Sequence, residues 1–420
     1  MALSFDIRYL WIDSLCIIQD DKEDWSQESC QMCEVYGNSF LNIAAAGAKD
    51  GSEGCFFEDD RERINKFSVE TTINGIQQIY NCVHESMYRY CINGTPLASR
   101  SWALQERLLS PRTLHFSRAQ LAWECNKKTA CESLPTNLIV LNGALNIRKG
   151  FLSASWPSIV STYSGSKLTL SRDKLVAMAG IIRKIAVERN DECVAGLWWR
   201  SIEIELLWHS RLKFPRPIVY QAPSWSWASV DGLVQIFPSV FTQIGLLAHV
   251  LQVHVQHRGD DSLGELCGGV LQILCRNLMY GIATQRGNKE DEEDNIFAEE
   301  VELGNVPGKN HISVYWDCRK ERSDDLYLLP IRCMEGIRDT AEGLIHSIEG
   351  LVLIATRREK GQYQRVGNFS VWRLVNRGNE PVNEVFKVLS KPVSHLEEVA
   401  YVEYVEDDKY PNEHWVINII

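Results

Sequence analysis

Apolar and polar positions in the first third of the chain switch repeatedly between a strand-like and a helix-like period. Residues 9–18 form a nearly continuous apolar run, Tyr9-Leu-Trp-Ile-Asp-Ser-Leu-Cys-Ile-Ile18. It is too short for a buried helix and carries β-formers, which predicts a buried strand with Asp13 at its end. Asp24 with Gln27 three residues on reads as a capping pair, worth about 1 kcal/mol. Trp25, Met32 and Tyr36 follow at helical spacing, and Gly37-Asn38 supplies a stop. Phe40–Ala46 predicts a second buried strand, broken by Gly47. Alternation from Phe67 to Tyr80 around Asn74-Gly75 predicts a hairpin. A short helix follows over Ala103–Leu109, ended by Pro111, and then a second hairpin from Thr113–Phe116 and Gln120–Cys125.

The pattern turns helical from about 138 to 215. Asp173–Val187 shows a broad apolar face, and Val194–Leu212 carries Trp198, Trp199, Leu206, Leu207 and Trp208. Pro223-Ser-Trp-Ser-Trp-Ala228 reads as an extended aromatic strand. Beyond 235 short alternating runs predict strands at Leu271–Leu274, Ile312–Trp316, Leu326–Ile331, Leu351–Ala355 and Phe369–Leu374. The expected organisation is therefore an α/β domain over 1–135, a helical segment over 136–235 and a β-rich region over 236–420.

Composition narrows the function classes. The chain has 420 residues, 45% of them hydrophobic, and a net charge of -11 without a Lys/Arg cluster, which argues against a nucleic-acid partner. No apolar run reaches the roughly 18 residues that span a bilayer, and the first residues lack the pattern of a secretory signal. The expectation is a cytoplasmic protein whose 13 scattered cysteines are reduced thiols. Cys30-Gln-Met-Cys33 lies in a predicted helix without a second pair at zinc spacing, so a structural reading outweighs a metal one. The acidic block Glu290–Asp294 reads as a solvated loop. Thirteen tryptophans require large cores or aromatic clefts. The familiar phosphate-loop, dinucleotide, zinc-protease and nucleophile-elbow motifs are absent from the sequence.

Three blocks carry a resemblance. The first is Tyr9-Leu-Trp-Ile-Asp-Ser-Leu-Cys-Ile-Ile-Gln19 with Asp24, Trp25, Glu28, Met32 and Tyr36. The second is Arg100-Ser-Trp-Ala-Leu-Gln-Glu-Arg-Leu-Leu-Ser-Pro-Arg112, followed by Leu121-Ala-Trp-Glu-Cys125. The third runs from Leu168 through Gly196-Leu-Trp198 to Ala222-Pro-Ser-Trp-Ser-Trp-Ala228. Together they resemble fungal heterokaryon-incompatibility (HET) domain proteins over roughly the first 230 residues. The family's usual upstream strand is not seen, and Leu3-Ser4-Phe5 is at best a relic of it. The expectation is an N-terminally truncated domain with an incomplete parallel sheet and an exposed strand edge.

HET domains are similar to TIR domains, some of which cleave NAD with a glutamate in a Trp-Cys-x-x-Glu segment. Trp25-Ser-Gln-Glu28 has that spacing without the Cys, so the resemblance implies Glu28 as the catalytic residue. Trp11 and Trp25 would stack on a ring and Asp13 would bind ribose hydroxyls. Arg100 and Trp102 would line the same cleft, and Arg100, Gln105, Glu106 and Arg107 form either a polar network there or an exposed helix face. NAD is then a substrate and no cofactor is required. Against this stand plain structural readings: Glu28 favouring the positive end of its helix by ~0.3–1 kcal/mol, and the tryptophans as core. The resemblance implies a role in nonself recognition and programmed cell death, a form of innate immunity. The alternatives are a non-enzymatic module acting through a protein partner or self-association, and an inactive truncated copy.

Overall fold

The computed structural model describes residues 2–57, 66–136, 156–211, 214–237, 243–259, 261–276, 278–286, 299–303, 311–319, 323–337, 344–375, 389, 400–411 and 415–420. The acidic block 290–294 lies outside them. The chain divides into two units: residues 1–159, 166–169 and 176–189 form the first, and residues 160–165, 170–175 and 190–420 the second. Among the described residues no helix is long and apolar enough to cross a membrane. All 13 cysteines are free thiols, and no group of metal-ligating side chains assembles among the described residues.

In the first unit residues 9–18 do not form the expected strand. A single helical turn, α1 (Asp13–Cys16), interrupts them. The Asp13 carboxylate accepts its neighbour Ser14 N–H at 2.8 Å, a local bond that competes with any strand ladder. Helix α2 (Lys22–Gly37) begins earlier than the pattern indicates, because Asp21 rather than Asp24 is its cap and accepts from the N–H groups of Glu23 and Asp24. Asp24 instead reaches back to Ile18 N–H at 2.7 Å, tying the incoming loop to the first turn. The helix ends at Gly37 with Asn38 as C-cap, where the sequence placed the stop.

Strands β1 (Asn42–Ala44), β4 (Arg112–Phe116), β5 (Leu121–Cys125) and β6 (Thr129–Cys131) make a four-stranded sheet in the order β1-β4-β5-β6. Only β1 and β4 run parallel; the other pairs are antiparallel. The unit is mixed α/β, but its sheet is mixed rather than the parallel one expected, because the tight β4–β5 and β5–β6 links permit only antiparallel neighbours. Between β1 and β4 the chain makes the expected hairpin, β2 (Phe67–Ile73) and β3 (Ile76–Cys82), with Asn74 and Gly75 at φ 53° and 78° as a primed turn demands. Helix α3 (Ser101–Leu109) follows.

Helix α4 (Trp156–Ser164) runs across the division between units, and α5 (Ala179–Arg189) returns to the first. Helices α2, α3 and α5 meet at Gly180. A Cβ there would lie 2.8 Å from Gln105 Oε1 and 3.1 Å from Cys33 Cβ, so only glycine permits the approach. The Gln105 side chain accepts Gly180 N–H at 2.8 Å. Cys33 donates to Gly180 O at 3.6 Å.

The second unit departs from the expected helical middle. Val194–Leu212 is not a helix but β7 (Cys193–Val194), β8 (Leu197–Trp198), the one-turn α6 (Ile202–Glu205) and the start of β9 (His209–Ser210), which pairs with β10 (Val234–Gln235). Asp173–Val187, most of which belongs to the first unit, is α-helical from Ala179, where α5 begins, after two short 3-10 turns at Ser171–Asp173 and Val176–Met178. Pro223–Ala228 is a tight turn, not a strand. Ser226 Oγ donates to Ala195 O and accepts Ala228 N–H, closing a 3-10 turn over Trp227–Ser229. Trp198, Trp208, Trp225 and Trp227 are wholly buried.

Beyond 242 the structure is β-rich, as expected. Strands β11 (Gln243–Leu246), β12 (Ala248–His257), β13 (Leu266–Cys275), β14 (Met279–Arg286), β15 (Glu299–Leu303), β16 (His311–Trp316), β17 (Asp325–Ile337), β18 (Leu344–Ala355), β19 (Gln362–Val375), β20 (Glu403–Tyr404) and β21 (Trp415–Ile419) share one sheet. It closes on itself: β14-β15-β16-β19-β18-β17 and back to β14, every pair antiparallel. Leu326, Leu328, Val314, Ile348, Val352 and Phe369 are among the side chains of its packed core. From β19 the sheet continues through β21 and β13 to β12.

On β19, Arg365 is fully buried. It donates to both carboxylate oxygens of Asp317 at 2.9 and 3.0 Å and to the carbonyls of Leu206 and Trp208, and lies 3.5 Å over the Trp208 ring. Lys174 holds the aromatic turn from the other side through Gln221, Val230 O and Asp231.

Candidate functional site

The predicted site residues all fall in the first unit: Trp11 just before α1, Asp13 on α1, Trp25 and Glu28 on α2, and Arg100 and Trp102 at the start of α3. Two aromatic pairs shape the region: Trp11 meets Tyr36 edge-on at 5.6 Å, and Trp25 meets Trp102 at 6.2 Å. Arg100 is the exposed N-cap of α3, where its φ of -93° and ψ of 130° turn the chain into the helix. One turn further on, α3 turns Glu106 toward Tyr36, Asp13 and Arg100.

Glu106 is the perturbed acid of this group. Burial and the nearby Asp13 carboxylate push its pKa up to about 7, against the opposing pull of Arg100 and a hydrogen bond from Tyr36. The Tyr36 hydroxyl is pushed far above its ordinary value, chiefly by burial and then by Glu106. Asp13, Glu106, Arg100 and Tyr36 thus lie close enough to act on one another's charge, and Trp11 packs on the Tyr36 ring.

Behind Glu106 lies a fully satisfied ionic network. Arg107 donates to both oxygens of Glu124 at 2.7 and 2.8 Å, to Asn93 at 2.8 Å and to the Tyr88 hydroxyl at 2.7 Å. His115 Nε2 lies 3.2 Å from Glu124. Burial alone would raise the Glu124 carboxyl, but the Arg107 guanidinium overrides it and holds the group well below the usual range. A cavity of about 20 Å³ is lined by Asn42, Thr95, Glu106, Arg107, Thr113 and His115 among others. That is room for about one water, and its polar walls suit one.

The structure therefore brings Asp13 and Arg100 together around Glu106, with Trp11 against Tyr36, and sets Trp25 on Trp102. Glu28 is half-buried and lies beside the inward stripe of α2, two turns before Tyr36 and so ~12 Å along the axis from it. It is not among the charges that act on Glu106. Sequence reasoning named Glu106 only as part of a possible network and gave Tyr36 no role beyond the motif. In the structure Leu104, Gln105, Arg107 and Leu108 are buried, so this stretch is not the exposed helix face that the sequence left open.

The first unit is a mixed α/β unit, with Asp13 on α1, Tyr36 near the end of α2 and Glu106 within α3. Residues 1–106 match the family model described as Heterokaryon incompatibility protein (HET). No curated protein and no solved structure matches the chain.

Proposed function

We propose that this protein acts in heterokaryon incompatibility, in the cytoplasm of a fungal cell, triggering growth arrest or death after fusion with an unlike cell. The chemistry we assign to it is TIR-like cleavage of NAD. The observation that carries this reading is that Trp25 and Glu28 lie in the same stretch of α2, with Trp25 against Trp102 of α3, within the HET-matched residues.

In that reaction the bond between ribose C1′ and the nicotinamide nitrogen breaks, and its electron pair stays with the nitrogen, which loses its positive charge. A water oxygen bonds to C1′ and its proton passes to solvent, giving nicotinamide and ADP-ribose. Glu28 stabilises the oxocarbenium-like state by charge, and no general acid is needed because the leaving group is already cationic. Asp13 takes the ribose hydroxyls, Arg100 a phosphate, and Trp25 and Trp11 a ring.

The test is NAD turnover by purified protein and growth arrest on expression, for the native chain, Glu28→Gln and Glu106→Gln. Loss of turnover and arrest in Glu28→Gln, with a native melting profile, supports the assignment. Arrest that survives both substitutions overturns the enzymatic reading. The second reading, a binding module, is favoured by the exposure of Tyr9, Leu10, Leu15 and Ile18. It predicts that Leu15→Asp, and not Glu28→Gln, abolishes the arrest.

A further inference from the structure

The β2–β3 ribbon pairs only with itself among the described residues. Its register sorts the side chains by face, because residues directly opposite project to the same side. Phe67, Val69, Thr71 and Ile73 stand across from Cys82, Tyr80, Gln78 and Ile76 on one face. The other face carries Glu70, Thr72 and Gln77, with Ile79 its one large apolar group. A ribbon sorted so cleanly would normally lay its apolar face on a core. Here that face is open: Phe67 is 60% and Ile76 62% exposed, and Val69, Ile73 and Tyr80 are exposed as well.

An isolated two-stranded hairpin is marginal in water, and an open apolar patch of several hundred Å² marks an interaction site. We propose that this face is a homodimer interface, occupied by the same face of a second copy of the chain. Three features select that occupant. The face carries no ionised side chain, so a like copy meets no repulsion, while an anionic lipid or nucleic-acid surface finds no cation to hold it. Its pattern is self-complementary: the central pair Thr71–Gln78 is polar and is flanked on both sides by apolar pairs. A two-fold axis through that centre sets Gln78 and Thr71 against their own copies, and sets Ile73 and Ile76 against Val69, Tyr80 and Phe67. The third feature is area. The five apolar side chains leave on the order of 500 Å² open, so a pair buries about 1,000 Å², the lower bound for a specific interface.

The inference does not depend on any enzymatic activity. Its test is sedimentation of the full chain at micromolar concentration, for the native protein, for Phe67→Asp with Ile76→Asp, and for Thr72→Asp on the opposite face. The expected result is a native dimer, a loss of affinity of about tenfold or more for the doubly charged face, and an unchanged dimer for Thr72→Asp. Single cysteines give a readout that does not disturb folding. Under mild oxidation Gln78→Cys, at the two-fold centre, yields a cross-linked dimer beyond the native background, and Gln77→Cys does not. A native monomer overturns the proposal, whether it stays free or sediments with anionic vesicles, and so does a dimer that ignores the double substitution and cross-links equally at 77 and 78.

Discussion

Residues 9–18 and residues 222–230 are both apolar, tryptophan-bearing stretches, and they end in opposite environments. In the first, Tyr9 is 85% and Leu15 79% exposed; in the second, Trp225 and Trp227 have no accessible surface. Hydrophobic content does not separate them. What differs is the supply of partners for the backbone and for the polar atoms between the apolar side chains. Around 222–230, Ser226 bonds Ala195 O, Trp227 Nε1 bonds Gly196 O, Trp208 Nε1 bonds Trp225 O, and Lys174 reaches Val230 O. Around 9–18 the bonds are local, from Asp13, Gln19 and Asp24 to neighbouring backbone. An apolar stretch is buried when another layer satisfies most of its polar groups as well as covering its side chains; around 222–230 the Trp225 Nε1 donor is an exception, buried without a partner among the described residues.

Substitutions sharpen that contrast, beginning with the strongest anchor of the aromatic turn's unit. Asp317→Ala leaves the buried Arg365 guanidinium without its carboxylate, and a loss of about 3–5 kcal/mol is expected in denaturant unfolding. Gly196→Ala comes next. Gly196 has φ 88°, and a Cβ there would sit 2.6 Å from Trp227 Nε1; left-handed strain and displacement of the ring together cost about 2–4 kcal/mol. Tyr9→Ala, in the open stretch, should leave stability within about 0.5 kcal/mol. A large loss at Tyr9 would show that residues 9–18 are covered in solution, and the contrast would fail.

The acids of the first unit supply a pH test with two signs. Glu106 has a folded pKa of about 7 against an ordinary 4.5. The folded chain therefore holds that proton more tightly, and stability falls as pH rises from 4.5 to 7, by roughly 2–3 kcal/mol. Glu124 is depressed, so its contribution is present above the ordinary carboxylate range and is lost as pH falls through its folded value. Glu106→Gln should flatten the neutral slope of an unfolding series in buffered denaturant and leave the acid limb in place. A neutral slope that survives the substitution would assign it to another group.

Much of this architecture was legible from pattern alone. The Asn74-Gly75 hairpin, the stop of α2 at Gly37-Asn38, the end of α3 before Pro111 and the late strands all rest on local signals, and each is where the pattern puts it. Three features were not legible, for physical reasons. Ser-Trp-Ser-Trp alternates with a strand's period, yet the Ser226 hydroxyl turns the chain by capping Ala228. Val194–Leu212 has apolar residues enough for a helix, but Gly196 at positive φ breaks it. The closed ring of β14 to β19 depends on β17 returning to β14 across the intervening strands, which no local period encodes. Of the candidate site, Glu28, Trp11, Asp13, Trp25, Arg100 and Trp102 were nominated from motifs, whereas the perturbed acid, Glu106, is defined by neighbours from α1 and α2 that only folding supplies.

The register of β21 has a consequence for the timing of synthesis. It pairs with β13, with Cys275 and Trp415 meeting 140 residues apart in sequence. During translation the β13 edge waits for residues 415–419 to emerge, roughly ten to thirty seconds at cellular elongation rates. For that interval Leu271, Ile273 and Leu274, all fully buried in the finished fold, lack their neighbour. A nascent chain in this state is a natural client for chaperones, and its yield should respond to elongation speed over the last third of the message.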